Sequence, residues 1–382
     1  MPTPTVSDVD ALVDATPASR DRVVDLLRAG SIAVVVLWHW TLSVTHWRDG
    51  RLTMPNPIGD VPGLWALTWV LQVMPVFFLV GGYANLAGWD AVVRGGGGAS
   101  QFLAGRLRRL GGPVVAWLAC WAVVDLAWRA AGGRSVMDWG LVVFVPLWFL
   151  GVYAGAVLAV PLTARLHRAA GVWVLAGLAG GIAVAEVVRL GLDPGGPLPG
   201  LAGSALVWLW CHQLGYWWRD GRIVAAGRTA ALGLSAAGLA TLVLLTTAGP
   251  YPRSMVAVRG EAVSNMYPTT ACVAALGVFQ LGLVLLARPR LAAWVARRGV
   301  WRATVVANGL AMTVFCWHMT ALVVFLGVYE RSGLALADRP TAGWWLSRPV
   351  WLVGPGLVLA AVVSVAARPG RRPAGRRTDA AQ

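Results

Sequence analysis

Residues 26–40, LLRAGSIAVVVLWHW, decide the fold class, because they form an apolar run that also carries two ionisable side chains, Arg28 and His39. A helix that crosses a bilayer needs about 20 mainly apolar residues. The eleven positions between Arg28 and His39 make about three helical turns, so both side chains lie on one helix face, about 16 Å apart along the axis. Ionisable side chains inside a membrane are rare and by default indicate a functional site.

The composition of the whole chain supports an integral membrane protein. Of its 382 residues, 57% are hydrophobic and only 13% are charged, and the mean hydropathy is +0.64. The formal net charge of +15 comes from arginine, which is dispersed between apolar runs, so nucleic-acid binding is not expected. The four cysteines form no CxxC pair, so neither a zinc site nor a disulfide framework is predicted.

Ten apolar segments are long enough to cross a bilayer. They are 29–47, 63–87, 113–131, 139–160, 170–190, 200–218, 229–248, 268–287, 303–328 and 346–367. The sequence therefore predicts an all-α integral membrane protein with about ten transmembrane helices in one bundle. The expected parts are a polar, disordered segment 1–19, a membrane domain 20–367 and a basic, disordered tail 368–382.

The distribution of arginine predicts the orientation. With ten spans both termini lie on one side, and the segments of that side carry 22 of the 32 basic residues. Positive charge is enriched in cytoplasmic loops, so both termini are expected in the cytoplasm. Residues 1–19 contain several aspartates and no basic residue, which is not typical of a cleavable signal peptide, so the first span is expected to remain as a membrane anchor.

Two intramembrane histidines are candidates for catalysis. His39 lies near or beyond mid-membrane, where the low dielectric favours the neutral imidazole that a general base requires. His318 lies inside the ninth predicted span, in FCWHMTAL, 315–322. The alternative is that His39 is satisfied by a neighbouring helix and that Arg28 is an ordinary interface anchor. His46, seven residues after His39, is a weak candidate on the acceptor side, and His212 is better explained as a core histidine.

Other polar groups have both functional and structural explanations. Arg106, Arg108 and Arg109, in QFLAGRLRRLGGP, 101–113, can hold phosphates, or they reflect only the bias of positive charge to the cytoplasm. Asp125–Arg129 and Glu186–Arg189 are spaced to form ion pairs on one helix face, and an acceptor pocket is the alternative.

These motifs, taken in order, resemble the acyltransferase 3 family of integral membrane O-acyltransferases. The family's first helix carries Arg, ten residues and then His, and VVDLLRAGSIAVVVLWH, 23–39, matches it. Four further motifs of the family are matched or echoed between residues 77 and 318. They are FFxxSGY, a cytoplasmic Arg-x-x-Arg before Pro, LWFL and a late YLxH. The matching residues are Asp25, Arg28, His39, Phe77, Phe78, Gly82, Tyr83, Arg106, Arg109, Pro113, Leu147, Trp148, Phe149, Leu150, Cys316, Trp317 and His318.

The resemblance implies a multi-pass protein of a bacterial-type cell membrane. The co-substrate would be acyl-CoA, above all acetyl-CoA, and no bound cofactor or metal is expected. The acceptor would be a hydroxyl on a sugar, glycolipid, cell-wall glycan or secondary metabolite. It implies His39 and His318 as catalytic residues and Arg28, Arg106 and Arg109 as acyl-CoA ligands. The implied supporting residues are Asp25, Tyr83 and Trp148.

One departure from the family and one rival function bear on this interpretation. Gly81 stands where the family has the serine of its SG pair, so any role of that hydroxyl is lost. The rival is a secondary transporter that uses Arg28, His39 and His318 as a substrate or proton path, and internal inverted repeats would favour it.

Overall fold

The computed structural model describes residues 6–193 and 196–366, and helices make up 77% of the structure. The α-helices in chain order are α1 (Val6–Asp14), α2 (Arg22–Thr41), α3 (Trp65–Leu71), α4 (Met74–Arg94), α5 (Ala99–Ala130), α6 (Val136–Trp139), α7 (Pro146–Ala170), α8 (Val172–Val187), α9 (Pro197–Arg219), α10 (Arg222–Ala225), α11 (Gly227–Thr247), α12 (Ala271–Val295), α13 (Arg298–Arg331), α14 (Ala342–Leu346) and α15 (Arg348–Ala366).

Short elements join the long helices. Two 3₁₀ turns cover Pro57–Gly59 and Leu141–Phe144, and a π-helical segment, Val188–Leu192, extends α8. A two-stranded antiparallel hairpin, β1 (His46–Arg48) and β2 (Arg51–Thr53), places His46 opposite Thr53. The expected tail 368–382 lies outside the described residues.

Nine helical segments within 6–193 and 196–366 are long and apolar enough to cross a membrane. They are Arg22–Thr41, Trp65–Arg94, Ala99–Ala130, Leu141–Ala170, Val172–Leu192, Gly227–Thr247, Ala271–Val295, Arg298–Arg331 and Arg348–Val365. Each matches one of the predicted spans, so the helical membrane fold is confirmed. The remaining predicted span, 200–218, is α9, which is long enough at 23 residues but is not among the nine. Because α9 packs against α4, α7, α8 and α12, it buries polar groups such as His212 and Gln213 inside the bundle.

Several helix boundaries differ from the prediction, and two differences near the N-terminus change the interpretation. The first helix was expected to continue to residue 47, but α2 ends at Thr41 and His46 belongs to β1. The N-terminal segment was expected to be disordered, but Val6–Asp14 forms α1, which packs on α13 with Val9 and Val13 buried. Asp10 and Asp14 of α1 are paired, because Arg298 lies 2.5 Å from Asp14 and Arg302 lies 3.2 Å from Asp10.

Small residues permit a close approach between α4 and α9. A Cβ atom added to Gly82 would lie 1.9 Å from the carbonyl oxygen of His212, and one added to Gly215 would lie 2.0 Å from that of Leu79. Glycine at both positions therefore lets the two backbones meet, as at other membrane helix interfaces.

Candidate functional site

The face of α2 that carries Arg28 and His39 packs on α13. The Arg28 Nε donates to Asn308 Oδ1 at 2.7 Å, and His39 Nδ1 lies 2.9 Å from His318 Nε2. The two residues of α2 are eleven positions apart and their partners on α13 are ten apart in the same direction. The helices therefore run parallel, and two polar contacts at different depths join them.

Hydrogen bonds define the tautomers of the neutral histidine pair. His318 Nδ1 lies 2.7 Å from the carbonyl oxygen of Phe315, which only accepts, so Nδ1 of His318 carries the proton. His318 Nε2 is then an acceptor, and His39 Nδ1 must donate to it. In the neutral imidazole the other nitrogen of His39, Nε2, consequently holds a free lone pair. The two ring planes differ by 14°, and Trp40 Nε1 donates to the carbonyl oxygen of His318 at 3.0 Å.

His39 lines a cavity of about 530 Å³ at the C-terminal end of α2. The wall is mostly apolar and aromatic, with Trp148 and Phe149 from the start of α7 among its members. The polar side chains of the wall are His39, Ser43, Asn56, Gln72 and Arg259. His318 is fully buried and is not part of the wall, so it can reach the cavity contents only through His39.

At the other end of α2, Arg28 is held by a carboxylate and an amide. Asp25 accepts hydrogen bonds from Arg20 at 2.6 Å and from Arg28 at 3.1 Å. Asn308 accepts from Arg28 and donates to the Asp25 carbonyl at 2.9 Å. The Arg28 side chain remains 30% exposed, so its position is fixed while part of the guanidinium can still meet a ligand.

The two arginines of the predicted Arg-x-x-Arg motif lie on α5. Arg106 is half-buried, and its Nη2 donates to the carbonyl oxygen of Ala84 at 2.8 Å. Gly88 leaves room for it, because a Cβ atom there would lie 2.2 Å from Arg106 Nη2. Arg109 is exposed, and within the described ranges no carboxylate lies within 4.0 Å of it. Arg106 is near enough to Arg28 and Arg109 for their charges to interact.

The supporting residues divide between the two ends of α2. Asp25 and the half-buried Tyr83 lie at the Arg28 end, where the Tyr83 ring packs on Trp218 and beneath Arg219. Trp148 lies at the other end, in the wall of the His39 cavity.

Tyr153, which the sequence did not single out, occupies the space next to Gly81. A Cβ atom at Gly81 would lie 2.8 Å from Tyr153 Cε2 and 3.1 Å from its hydroxyl oxygen. Asn85 Nδ2 lies 3.4 Å from that hydroxyl oxygen and 3.1 Å from His212 Nε2. Where the family serine is replaced by Gly81, the Tyr153 ring therefore occupies the adjacent space. His212 is a hydrogen-bonded core histidine, as expected.

The structure separates the remaining polar candidates from the site. Glu186 pairs with Arg189 at 2.6 Å, as predicted, and also accepts from the Ala271 amide. The Asp125–Arg129 ion pair was a wrong prediction, because Asp125 instead accepts from the Ser135 hydroxyl and the Val136 amide at the start of α6. His46 is buried in the hairpin, and its Nδ1 lies 3.0 Å from the carbonyl oxygen of Val44.

Sequence reasoning missed the partners that position the candidate residues. Asn308 is hydrogen-bonded to Arg28, and the Phe315 carbonyl is hydrogen-bonded to His318. Tyr153 lies beside Gly81. One signal was present for Asn308, since it lies ten positions before His318, close to the eleven-residue spacing of Arg28 and His39. A backbone carbonyl leaves no sequence signal.

Comparison with known proteins identifies the family. Neither a curated protein nor a solved structure matches the chain. A model of the acyltransferase 3 family, described as an acyltransferase domain, matches residues 21–368, which include α2, α13 and every candidate residue described above. The chain therefore belongs to the acyltransferase 3 family of membrane acyltransferases.

Proposed function

We propose that the protein transfers an acyl group, in particular acetyl, from cytoplasmic acyl-CoA to a hydroxyl of a sugar, glycolipid, cell-wall glycan or secondary metabolite. The observation that carries this proposal is the oriented pair of His39 and His318, which leaves His39 Nε2 unprotonated beside a cavity. A multi-pass protein of a bacterial-type plasma membrane can then bring a cytoplasmic donor and an acceptor together within the bilayer.

The donor end of this proposal rests on the arginines at the start of α2 and on α5. Arg28, Arg106 and Arg109 would bind the CoA phosphates, since guanidinium groups bind phosphate oxygens in a bidentate manner. Pantetheine, extended along the α2–α13 face, would then carry the thioester toward His39, which lies about 16 Å from Arg28 along the helix axis.

The chemistry assigned to the histidines is general-base catalysis. His39 Nε2 takes the proton of the acceptor hydroxyl while the hydroxyl oxygen forms a bond to the thioester carbonyl carbon. The C–S bond then breaks, the new ester remains on the acceptor, and the CoA thiolate leaves and receives the proton from His39 Nε2, which restores the neutral base. His318 accepts the His39 Nδ1–H throughout, so it positions the base and stabilises the imidazolium that forms.

The test uses purified protein in proteoliposomes with isotope-labelled acetyl-CoA. The acceptor is first identified as the glycan, lipid or metabolite that loses one acyl group in mass when the gene is deleted. His39→Ala should bind acyl-CoA normally and transfer at least about 10²-fold more slowly, because a placed general base contributes about 10²–10⁴-fold.

Two controls separate chemistry from packing and binding. His39→Gln keeps a hydrogen-bonding side chain on α2 but cannot act as the base, so it should be as slow as His39→Ala. Arg109→Lys should weaken acyl-CoA binding less than Arg109→Ala, since lysine keeps the charge but cannot bind a phosphate in the bidentate manner of a guanidinium. Near-normal transfer by correctly inserted His39→Ala would disprove the catalytic role, and movement of solute without a labelled acceptor would favour the transporter.

A further inference from the structure

A second cavity lies at the end of the bundle where α2 begins. It has a volume of about 620 Å³ and lies between α10, α11 and α12. Arg228, Arg288 and Arg290 contribute three guanidinium groups to its wall, and we call it the basic cavity. None of the proposed donor, catalytic or supporting residues lines it, so it is separate from the acyl-transfer site and does not depend on the proposed function.

Arg288 is a lining residue of the basic cavity whose guanidinium is only partly paired. Its Nη2 is 3.1 Å from Asp21, the residue that caps α2, which places the cavity at the N-terminal end of that helix. Its Nε is buried and has no hydrogen-bond partner among the described residues. The Arg288 side chain nevertheless remains 35% exposed, so the rest of its guanidinium can still meet an anion in the cavity.

Arg228 and Arg290 carry charge that the protein does not neutralise locally. Within the described residues, neither has a carboxylate within 4.0 Å, whereas Arg288 has Asp21. Arg228 is the second residue of α11, where the helix dipole disfavours a cation and favours an anion. A bound anion beside Arg228 would therefore be stabilised by both the helix end and the guanidinium.

The arrangement of polar and apolar groups identifies the chemical class of the anion. Leu232 lies four residues beyond Arg228 on α11, and Leu286 lies four residues before Arg290 on α12. Four residues are about 6 Å along a helix, so Arg228 in the first turn of α11 and Arg290 near the end of α12 each have a leucine about one turn deeper in the bundle. A phospholipid has the same polarity, with a charged phosphodiester at the surface and acyl chains below it.

The loop around α10 completes the basic cavity. Gly221 and Gly227 flank α10 with φ values of +75° and +77°, which only glycine adopts without strain. The two turns place Ile223 and Val224 of α10 in the cavity wall next to α11.

We propose that the basic cavity binds the phosphodiester of an anionic phospholipid, with Arg228, Arg288 and Arg290 as its ligands. Basic pockets between membrane helices hold such headgroups, and the aliphatic side chains contact the first part of the acyl chains. Bound there, the lipid would join the ends of α11 and α12 and, through Arg288 and Asp21, the start of α2.

The test measures thermal unfolding of the purified full-length protein in an uncharged detergent. Phosphatidylglycerol should raise the unfolding midpoint, and phosphatidylcholine at the same concentration should not. In Arg228→Ala/Arg290→Ala, which keeps the Arg288–Asp21 pair, the phosphatidylglycerol concentration for half of the shift should rise by about 25-fold, at about fivefold for each arginine.

Matched variants make the result decisive. Arg297→Ala removes an exposed arginine at the same end of the bundle that does not line the cavity, and it should respond like the wild type. Arg228→Lys/Arg290→Lys should keep part of the response. An equal response of the double alanine variant and the wild type would overturn the proposal. A midpoint raised through Arg228 and Arg290 by CoA, and not by phosphatidylglycerol, would assign the phosphate to the donor and refute the lipid.

Discussion

The orientation of His39 depends on a residue that does not touch the cavity. His318 is fully buried and receives its own orientation from a backbone carbonyl, so its role in the proposed reaction is positional. It differs from His39 in this respect, although both histidines were assigned together as catalytic from the sequence.

We therefore predict different effects for two substitutions of His318. His318→Ala removes the acceptor of the His39 Nδ1–H and should lower kcat by about 10–100-fold, while KM for acyl-CoA changes little. His318→Gln offers an amide oxygen to the same N–H and should recover part of kcat. Steady-state kinetics in proteoliposomes checks both, and a KM effect without a kcat effect would contradict the positional role.

Gly88 and Arg106 give a prediction in which stability and affinity move in opposite directions. A Cβ atom at Gly88 would lie 2.2 Å from Arg106 Nη2, so Gly88→Ala should displace the guanidinium from the Ala84 carbonyl. Alanine is favoured over glycine within a helix by about 1 kcal/mol, and the arginine is flexible, so the thermal midpoint should stay level or rise. Acyl-CoA affinity should fall.

The matched control for Gly88→Ala is Gly105→Ala on α5, where no atom lies within 4 Å of the added Cβ position. Isothermal titration with acyl-CoA and thermal unfolding compare the two variants. Unchanged affinity in Gly88→Ala would remove Arg106 from the proposed donor site.

At the scale of elements, the crossing of α4 and α9 depends on direct contact between the two helix backbones. Gly82 and Gly215 leave the backbones in contact, and the neighbouring Asn85 bonds to His212 across the same interface. The family motif around Gly82 is therefore explained by packing in this chain, whereas its Gly81 position is filled by the ring of Tyr153.

We predict that Gly82→Ala destabilises the protein far more than a glycine substitution elsewhere in a helix. The added Cβ would meet the His212 carbonyl at 1.9 Å, and a backbone atom cannot move aside without separating the helices. The free energy of unfolding should fall by about 1–3 kcal/mol, the range for overpacked cores. Gly177→Ala on α8, which meets no atom within 4 Å, is the control for thermal unfolding. Equal midpoints would contradict a tight crossing.

The helix α1 shows how charge pairing changes a sequence interpretation. Its aspartates indicated a solvated segment, but Asp10 and Asp14 face Arg302 and Arg298 on α13, and Trp301 Nε1 donates to Thr16. The hydrogen bond from Arg298 lowers the pKa of Asp14. The partners are 284 and 292 residues away, so no local pattern could reveal them.

At the scale of the whole molecule, orientation in the membrane decides whether the arginines can meet cytoplasmic CoA. The arginine count predicts that both termini and the loop around Gly96 are cytoplasmic, and that the β1–β2 turn at Gly50 lies outside. Reporter domains inserted at these two glycines should therefore report opposite sides, with Gly96 cytoplasmic. The reverse result would place Arg106 and Arg109 away from the donor.

The sequence by itself determined the membrane class, the position of the spans and the common face of Arg28 and His39. These features depend on hydropathy and on helical periodicity, which are local properties of the chain. Only the tertiary structure decided that α13 is the partner of that face, because Arg28 meets Asn308 and His39 meets His318 across separations of 280 and 279 residues. It also decided which imidazole nitrogen is free, since that depends on the carbonyl oxygen of Phe315, a backbone group whose position no residue pattern encodes.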